Sequence, residues 1–442
     1  MFKLVSKQII IGLLIIYLSS LSFLGCSPAK TSLPSSGVTV VVWHWMTDRQ
    51  PAFEELAQRY ERQTGTRVKF ELYAPSEAYS QKVRAAAQGE NLPDIFGILA
   101  SKKDFASFIK AGHVLDLTPY MEENSGFWRK SFFENALKTN VFVQDDAYGV
   151  KPGIYGVPID TMVIQMLYNK KLYAELGFQA NNPPATFQEL LQVGQKLKGK
   201  DLQGFVSGWG EYWMLDCFAN NYAFNIMGKD KVLATIRGEI PYTDPDWIKV
   251  FSLFKELTDA GLVSSGTITM VNKTAEQLFA NERAVFAFNG SWCVNVYRSM
   301  NPQLDYGAFM PPPISDVYPM AIWGGAGSSF MVNARSKNKE EAVRFLQWLT
   351  QKEQQVFLAK HTHNLPANQQ AMQDISGVLS EFAKNMPFVT HPNIWGISEF
   401  SSVIETFDRG LQSIILGQKS PQQVAYEVQK AKEKELARKK AQ

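Results

Sequence analysis

Alternating strand-like and helix-like segments at the start of the chain are the feature that most constrains its fold. Residues 38–42 are an apolar, β-branched run of the kind found in buried strands. A helical stripe follows between Phe53 and Tyr60, where large and small apolar residues share one face. Residues 67–72 and 94–98 then have the pattern of a second and a third strand. This alternation predicts an α/β fold with a parallel sheet covered by helices on both faces.

The first residues of the chain have the pattern of an export signal. Lys3 and Lys7 form a basic head, an apolar run covers residues 9–24, and a small residue precedes Cys26. The apolar run is shorter than the roughly 20 residues that a bilayer-spanning helix needs, which favours a signal peptide over residues 1–25. An uncleaved anchor helix is the alternative, and both interpretations place the folded part outside the cytoplasm.

The chain after the signal is predicted to be a tethered body with two lobes. Residues 26–37 are rich in Ser, Pro and Gly, as in flexible tethers. The rest is too long for a single hydrophobic core, and segments 155–169 and 306–313 have the pattern of crossings between lobes. Beyond the tether the cysteines are Cys217 and Cys293, which either form a disulfide or remain two buried free thiols.

Capping-box patterns indicate where three of the later helices begin. In this motif a Ser or Thr side chain and a Glu or Gln three residues later satisfy each other's backbone N–H groups. The pattern occurs at Thr186 with Glu189, at Thr274 with Gln277, and at Ser420 with Gln423. Each pair predicts that a helix starts at the residue after the Ser or Thr.

Composition and motifs argue against several function classes. The formal net charge is +3, and the lysine-rich stretch 430–440 is better explained as a solvated helix end than as a nucleic-acid contact. His361 and His363 have the wrong spacing for two metal ligands on one helical face, and the sequence contains neither a nucleophile elbow nor a zinc-protease helix motif. We therefore predict no catalytic residue, no metal and no cofactor, and no nucleic-acid partner.

Several segments, in order along nearly the whole chain after the signal, resemble one bacterial family. They are residues 93–95, 112–120, 155–158, 167–170, 176–177, 184–190, 279–286, 289–292 and 337–349. Together they resemble the extracellular solute-binding proteins, family 1, of bacterial ABC sugar transporters, which are similar to maltose-binding protein. The junction 23–26 resembles a lipoprotein lipobox, which implies lipid attachment to the thiol of Cys26.

The resemblance implies a two-lobed periplasmic-binding-protein fold, type II-like, with a ligand cleft between lobes joined by a hinge. Lobe 1 is expected to comprise residues 38–160 and about 309–350. Lobe 2 is expected to comprise residues 161–308 and about 351–442. Closure of two such lobes about a hinge is a known switching mode, and it would give a transporter a loaded shape to recognise.

Candidate ligand contacts follow from what a sugar site needs, namely aromatic platforms for C–H faces and a few fixed polar partners. They are Trp45, His44, Asp48, Glu77, Tyr79, Asp160, Trp209, Glu211, Tyr212, Trp213, Trp292, Trp323, Gly324 and Trp395. Trp292 is the main candidate for a ligand contact, because the resemblance implies an aromatic residue at the cleft wall in this position. Packing or a solvated surface position is the alternative for each residue. Residues 97–102 have no aromatic side chain where maltose-type relatives stack a sugar ring, which argues against maltose.

These observations predict the substrate-binding component of an ABC importer. We expect a lipid-anchored monomer in the periplasm or at the cell surface, which captures a sugar or oligosaccharide and delivers it to the permease. The alternatives are the same fold with a polyol phosphate, polyamine or peptide as cargo, and a secreted carbohydrate-active enzyme with two catalytic carboxylates. A dianionic cargo would require clustered arginines or helix N-termini, whereas the candidates are aromatic and acidic, which favours a sugar.

Overall fold

The computed structural model describes residues 37–99, 101–144 and 146–441, which form a mixed α/β protein. The predicted signal peptide, the lipid-attachment residue Cys26 and nearly all of the tether lie outside the described residues, as does the side chain of Glu77. Within the described ranges, no helix combines the length and the apolar character that a bilayer crossing needs.

The chain alternates between strands and helices over most of its length. The strands are β1 Thr39–His44, β2 Arg67–Leu72, β3 Ile95–Phe96, β4 Val141–Phe142, β5 Gly153–Ile154, β6 Val157–Asn169, β7 Gln203–Val206, β8 Ala284–Gly290, β9 Tyr306–Phe309, β10 Ile322–Val332, β11 Leu365–Pro366 and β12 Val389–Thr390. The helices are α1 Gln50–Thr64, α2 Ser76–Gln88, α3 Lys102–Lys110, α4 Thr118–Lys130, α5 Glu134–Lys138, α6 Lys170–Glu175, α7 Phe187–Lys196, α8 Trp213–Arg237, α9 Pro245–Asp259, α10 Asn272–Ala280, α11 Cys293–Met300, α12 Lys339–Leu349, α13 Lys352–Thr362, α14 Val378–Ala383, α15 Ser401–Ile415 and α16 Pro421–Lys440.

The main sheet follows the strand order β2-β1-β3-β10-β6-β8-β7. β1 pairs in parallel with both β2 and β3, so the α/β pattern predicted from the first segments is confirmed. Alternate residues of β1 are fully buried, and Phe53 of α1 stacks on Phe70 of β2 with ring centroids 4.7 Å apart. The helix-covered parallel sheet arises here because apolar side chains of strand and helix meet on one face.

Two long strands, β6 and β10, run through both halves of the molecule. The first half of β6 pairs antiparallel with β10, and its second half pairs with β8, starting with Ile164 opposite Gly290. The far end of β10 pairs with β3. The pairing register between β6 and β10 shifts around Ser328, which is the signature of a β-bulge. One continuous sheet therefore links the two halves.

The buried side chains form four clusters, and the two largest sets define two lobes, in agreement with the predicted fold class. Lobe 1 is the part packed around Phe53, Phe330 and Phe345, where α1 and α12 cover the sheet. Lobe 2 is the part packed around Phe218 and Phe254, where α8, α9 and α15 come together. Because β6 and β10 contribute to both sets, the two cores meet at the middle of these strands.

The segment around residues 306–321 belongs to lobe 2. The sequence analysis instead predicts a crossing between the lobes at 306–313 and the second part of lobe 1 from about residue 309. β9 pairs with the second half of β6, and Phe309 and Met320 lie in the lobe 2 core. The second strand that joins the lobes is β10. Its glycine-rich sequence has the pattern of a turn, but the hydrogen bonds of β6 hold it as a strand.

Most of segment 352–367 packs with lobe 1, although the sequence prediction assigns it to lobe 2, and Leu365 lies in a cluster with Phe279 of lobe 2. Leu358 of α13 and Ala367 lie in the lobe 1 core, and β11 pairs with the first half of β6. Cys217 and Cys293 are both buried free thiols, so the disulfide alternative does not apply in this structure. Their burial raises the pKa of each thiol well above its ordinary value.

Candidate functional site

Parallel strands of both lobes point their carboxyl ends at the shared middle of β6 and β10. In lobe 1, β3 pairs with the end of β10, and the next residue, Gly97, lies beside the carbonyl of Ser329. In lobe 2, β8 ends at Gly290, opposite Ile164. Ser329 pairs with Pro158 of β6. The strand ends of the two lobes therefore lie beside residues 158 and 164 of β6, which are six residues or about 20 Å apart. Open α/β sheets bind ligands at such ends, which makes this cleft the candidate site.

Trp45 forms part of the lobe 1 wall, one residue after β1. Its ring lies against Gly97, where a Cβ atom would come within 2.3 Å of it, so only glycine fits there. The predicted contact Tyr79 is fully buried beneath Trp45, with ring centroids 5.1 Å apart. Its hydroxyl accepts a hydrogen bond from the Gly97 N–H at 2.8 Å. Tyr79 therefore positions the wall from inside the core and does not form its surface.

His44 is a structural residue of lobe 1, which corrects its prediction as a ligand contact. The imidazole is fully buried between Phe53 and Phe70, and its Nε2 lies 2.6 Å from Oε1 of Gln50. Burial lowers the pKa of His44 to about 4, so the ring is neutral at physiological pH. By contrast, the side chain of Asp48 is 39% exposed in the loop beyond β1.

A buried ion pair occupies the junction of the lobes. Arg49 and Asp160 approach to 2.6 Å, and Oδ1 of Asp160 accepts hydrogen bonds from the N–H and the hydroxyl of Ser328 at 2.6 and 2.7 Å. Burial raises the pKa of Asp160, while the neighbouring guanidinium acts in the opposite direction. The predicted contact Asp160 therefore holds the bulge of β10 and is closed off from solvent in this conformation.

Trp292 and Trp213 form the wall of lobe 2, with ring centroids 6.1 Å apart. The Trp292 ring folds over Gly290, where a Cβ atom would lie 1.9 Å from it. Behind the rings, the carboxylate of Glu276 accepts hydrogen bonds from the side-chain amides of Asn289 and Asn272 at 3.0 and 2.9 Å. Burial raises the pKa of Glu276, and its hydrogen bonds to Asn289, Asn272 and Trp292 oppose that shift.

The segment that precedes α8 divides into a buried and an exposed part. Trp209 is fully buried against Phe205, which corrects its prediction as a ligand contact. Tyr212 and Trp213 are 39% and 44% exposed. Glu211 lies between the two parts and accepts the indole N–H of Trp213 at 3.3 Å. The exposed rings are available to a solute, whereas Trp209 supports them from the core.

Trp395 lies at the opposite end of the lobe 2 wall. Its ring is 5.4 Å from that of Phe224 and 6.2 Å from that of Trp323, measured between centroids. Trp323 is 8% exposed and serves mainly as packing beneath Trp395. At Gly324 a Cβ atom would lie 2.7 Å from the carbonyl oxygen of Met162, so this glycine allows β10 and β6 to approach closely. Of these predicted contacts, Trp395 is the one that borders open space.

Two cavities lie between the lobes next to Trp395. They have volumes of about 670 and 270 Å³, and Lys102, Asn393 and Trp395 line both. The larger extends towards β4 and β12, and the smaller towards α8 and α15. The size of the larger cavity suits a small solute. Within the described ranges, no group of three His, Cys, Asp or Glu side chains is placed to hold a metal ion.

Several residues that border the cavities were not among the sequence candidates. Lys102 is buried at the start of α3, where its ammonium donates to the carbonyl oxygens of Thr139 and Val141 at 2.6 and 2.7 Å. Burial lowers its pKa to about 7. A lysine at the start of a helix has no local signal for such a position. Asp216 and Phe224, in contrast, lie on α8 at a spacing of two helical turns, a pattern that can be recognised in the sequence.

The chain matches the sequence model of a known family over residues 55–387, described as bacterial extracellular solute-binding protein. Among curated relatives, the multiple sugar-binding protein of Streptococcus mutans is 23% identical over 351 residues, 77% of this chain and 78% of that protein. The sn-glycerol-3-phosphate-binding periplasmic protein UgpB of Escherichia coli (strain K12) is 21% identical over 439 residues, 91% of this chain and 92% of that protein.

Solved structures have the same two-lobed fold. A chitin oligosaccharide binding protein superposes with a TM-score of 0.67 at 25% identity, over 89% of this chain and 98% of that one. The apo form of RafE from Streptococcus pneumoniae superposes with a TM-score of 0.71 at 17% identity, over 90% and 97% of the two chains. Since the family model covers most of the chain, this protein belongs to the bacterial extracellular solute-binding protein family.

Proposed function

We propose that this protein is the substrate-binding component of an ABC importer, which captures a sugar or oligosaccharide outside the cytoplasmic membrane and delivers it to the permease. The observation that carries the proposal is the presence of aromatic rings near the strand ends of both lobes, Trp45 on lobe 1 and Trp213 with Trp292 on lobe 2. Indole rings suit the apolar faces of a sugar, and the adjacent Glu211 suits its hydroxyl groups. The sugar-binding relative and the oligosaccharide-binding structural neighbour support this cargo.

The proposal includes the organisation and location of the receptor. Lobe 1 consists of residues 38–160 with the second half of β10, α12, α13 and β11, and lobe 2 consists of the remainder of the folded chain. A lipid on Cys26 anchors a monomer to the membrane, as the lipobox resemblance implies. The protein binds its cargo without altering it, since membership of a solute-binding family supports capture rather than catalysis.

A phosphorylated polyol is the second candidate cargo. The similarity to a glycerol-3-phosphate-binding protein over 91% of this chain supports it. Lys138 and Lys229, which line the larger cavity, would supply positive charge near a phosphate. The acidic side chain of Asp146 lines the same cavity and opposes an anion, so a neutral sugar remains the preferred cargo.

A thermal-shift screen tests the proposal directly. Purified protein is heated with a panel of mono- and oligosaccharides, glycerol-3-phosphate and a polyamine, and a cargo that binds the native state raises the melting temperature. Calorimetry then measures its affinity, which we expect to be micromolar or tighter, about −8 kcal/mol or more. Turnover of a saccharide would contradict the binding role, and stabilisation by glycerol-3-phosphate alone would replace the sugar by the second candidate.

Substitution of Trp292 tests the cleft as the binding site. Trp292→Ala removes a ring from the lobe 2 wall, and we expect cargo binding to weaken by about 1 kcal/mol or more, as is usual for buried aromatic anchors. The control is Tyr426→Ala, which removes an aromatic ring that is 64% exposed on α16. If calorimetry gave the same affinity for Trp292→Ala as for the control, Trp292 would not belong to the site.

A further inference from the structure

The charges of this protein are unevenly distributed along the chain. The stretch 430–440, at the end of α16, contains six basic and two acidic residues, which give it a net charge of +4. The formal net charge of the whole chain is +3, so all the other residues together carry a net charge of −1. The net positive charge of the protein therefore comes from the end of this helix.

α16 packs on lobe 2 through one of its faces. Val424 and Val428 on this face lie in the lobe 2 core. One helical turn further on, the ammonium group of Lys432 is buried. It donates hydrogen bonds to the carboxylate of Glu399 at 2.7 Å and to the carbonyl oxygen of Ile236 at 2.5 Å. These contacts fix the orientation of the helix, so its opposite face points outwards.

The outward face of α16 is a basic surface. Its exposed side chains at intervals of four residues are those of Tyr426, Lys430, Lys434 and Arg438. This spacing places them on one side of the helix, over a length of about 18 Å. In the part of the chain that the structure describes, Lys430 and Lys434 have no ion-pair partner, and Arg438 approaches Glu435 only to 3.9 Å. The acidic residue on the outward face is Glu433, which accepts a hydrogen bond from the amide of Gln429 at 2.9 Å.

The basic residues on this face destabilise the helix that carries them. Lys430 and Lys434, like Lys434 and Arg438, are neighbours at positions i and i+4, where like charges are unfavourable. The partial negative charge at a helix C-terminus stabilises basic residues in the last turn. Lys430 and Lys434 lie more than one turn before the end of α16, so that effect does not account for them. An external anionic surface would relieve the repulsion between their charges.

We propose that the outward face of α16 is a docking surface for an anionic phospholipid membrane. Basic side chains attract anionic headgroups over distances of about 8 Å at physiological ionic strength, and the exposed ring of Tyr426 suits the membrane–water interface. This inference rests on the proposed function, in which a lipid on Cys26 anchors the receptor. The eleven residues between Cys26 and the described fold span at most about 40 Å, which keeps lipid headgroups close to the protein. Contact through α16 then holds lobe 2 against the membrane.

Co-sedimentation with lipid vesicles tests this surface. The chain without residues 1–25, and with Cys26→Ser to prevent lipid attachment, retains every residue of the described fold. We expect this protein to bind phosphatidylglycerol vesicles at about 0.1 M salt and to be released at about 1 M salt, where charges are screened beyond about 3 Å. Phosphatidylcholine vesicles, which carry no net charge, should not bind it.

A double variant removes charge from the centre of the proposed surface. Lys430→Gln/Lys434→Gln keeps residues that favour a helix. Each basic residue near an anionic bilayer strengthens binding about fivefold, so we expect this variant to bind phosphatidylglycerol vesicles at least about tenfold more weakly than the wild type. The matched control is Lys198→Gln/Lys200→Gln, which removes the same charge from exposed positions after α7. It should change the affinity less than about twofold, because screening limits attraction to charges close to the bilayer.

The outcomes separate this inference from the proposed function. If the wild type did not bind phosphatidylglycerol vesicles, or if both double variants lost the same affinity, the docking surface would be refuted. Binding of duplex DNA but not of the vesicles would also refute it, in favour of a nucleic-acid partner. Calorimetry should give the same cargo affinity for Lys430→Gln/Lys434→Gln as for the wild type, because neither residue borders the cavities between the lobes. Failure of sugar capture would therefore leave the vesicle result standing, and the reverse also holds.

Discussion

Removal of one partner from the buried Arg49–Asp160 ion pair should strongly destabilise the protein. The charged groups are 2.6 Å apart, and their side chains are only 11% and 5% exposed. Arg49→Met keeps most of the apolar length of the side chain but leaves the Asp160 carboxylate buried with Ser328 as its remaining partner. Loss of one partner from such a pair costs about 3–5 kcal/mol, because the other charge stays desolvated.

The double variant Arg49→Met/Asp160→Asn separates the cost of an isolated charge from the value of the pair. Neither residue is charged in this variant, so we expect it to recover at least half of the stability lost in Arg49→Met. The matched control is Arg409→Met, which removes an ion pair of the same 2.6 Å length to Glu405 whose side chains are 65% and 54% exposed. That change should cost less than about 1 kcal/mol.

Urea unfolding, followed by tryptophan fluorescence, measures these differences. The free energy of unfolding in water is obtained by linear extrapolation, and an unchanged slope shows that the unfolded states are comparable. The reasoning would be refuted if Arg49→Met were no more destabilising than Arg409→Met, or if the double variant were less stable than Arg49→Met. Either result would mean that the junction of the lobes does not depend on charge pairing at Asp160.

Burial and the nearby Asp216 raise the pKa of Asp408 in the folded protein, whereas the same carboxyl group ionises above about pH 4 in the unfolded chain. The free energy of unfolding of the wild type therefore falls as pH rises. Between pH 5 and 9, the melting temperature of Asp408→Asn should fall less than that of the wild type. His44 has a pKa of about 4 in the folded protein, so the free energy of unfolding should decrease by about 3 kcal/mol as pH falls from 6.5 to 4. An NMR titration in which the imidazole was protonated at pH 5.5 would contradict this. Gly290→Ala should displace the Trp292 ring and weaken cargo binding by about fivefold, and unchanged calorimetry would refute that contact.

Local patterns predicted much of the secondary structure. The capping boxes at Thr186 and Ser420 are present at the starts of α7 and α16. The pattern at Thr274 was misleading, because α10 begins at Asn272. There the backbone N–H of Asn272 donates to the carboxylate of Glu211 at 2.9 Å. A contact with a distant segment thus replaced the local cap, and local sequence contains no information about that contact.

The candidate site could be predicted only in part, because exposure depends on packing between segments. Trp209 and Trp213 lie in the same short segment, yet the first is fully buried and the second is 44% exposed. Trp209 packs against Phe205 and Phe218 in the lobe 2 core, whereas Trp213 lies against Trp292 at the edge of that core. Tyr79 is likewise turned into the core, because its hydroxyl accepts a hydrogen bond from the backbone N–H of Gly97. Residue type identified the aromatic candidates, but the fold decided which rings reach the cleft.

The lobes are joined by paired strands, and this has a mechanical consequence. Sliding one lobe past the other along β6 and β10 would break the hydrogen bonds between the two strands, whereas bending across them at the bulge near Ser328 preserves most of those bonds. Of these two movements, bending is therefore the one that the strand pairing opposes less. We expect closure by such a bend to bring the outer surfaces of both lobes into one relative orientation, by which the proposed permease partner distinguishes a loaded receptor from an empty one.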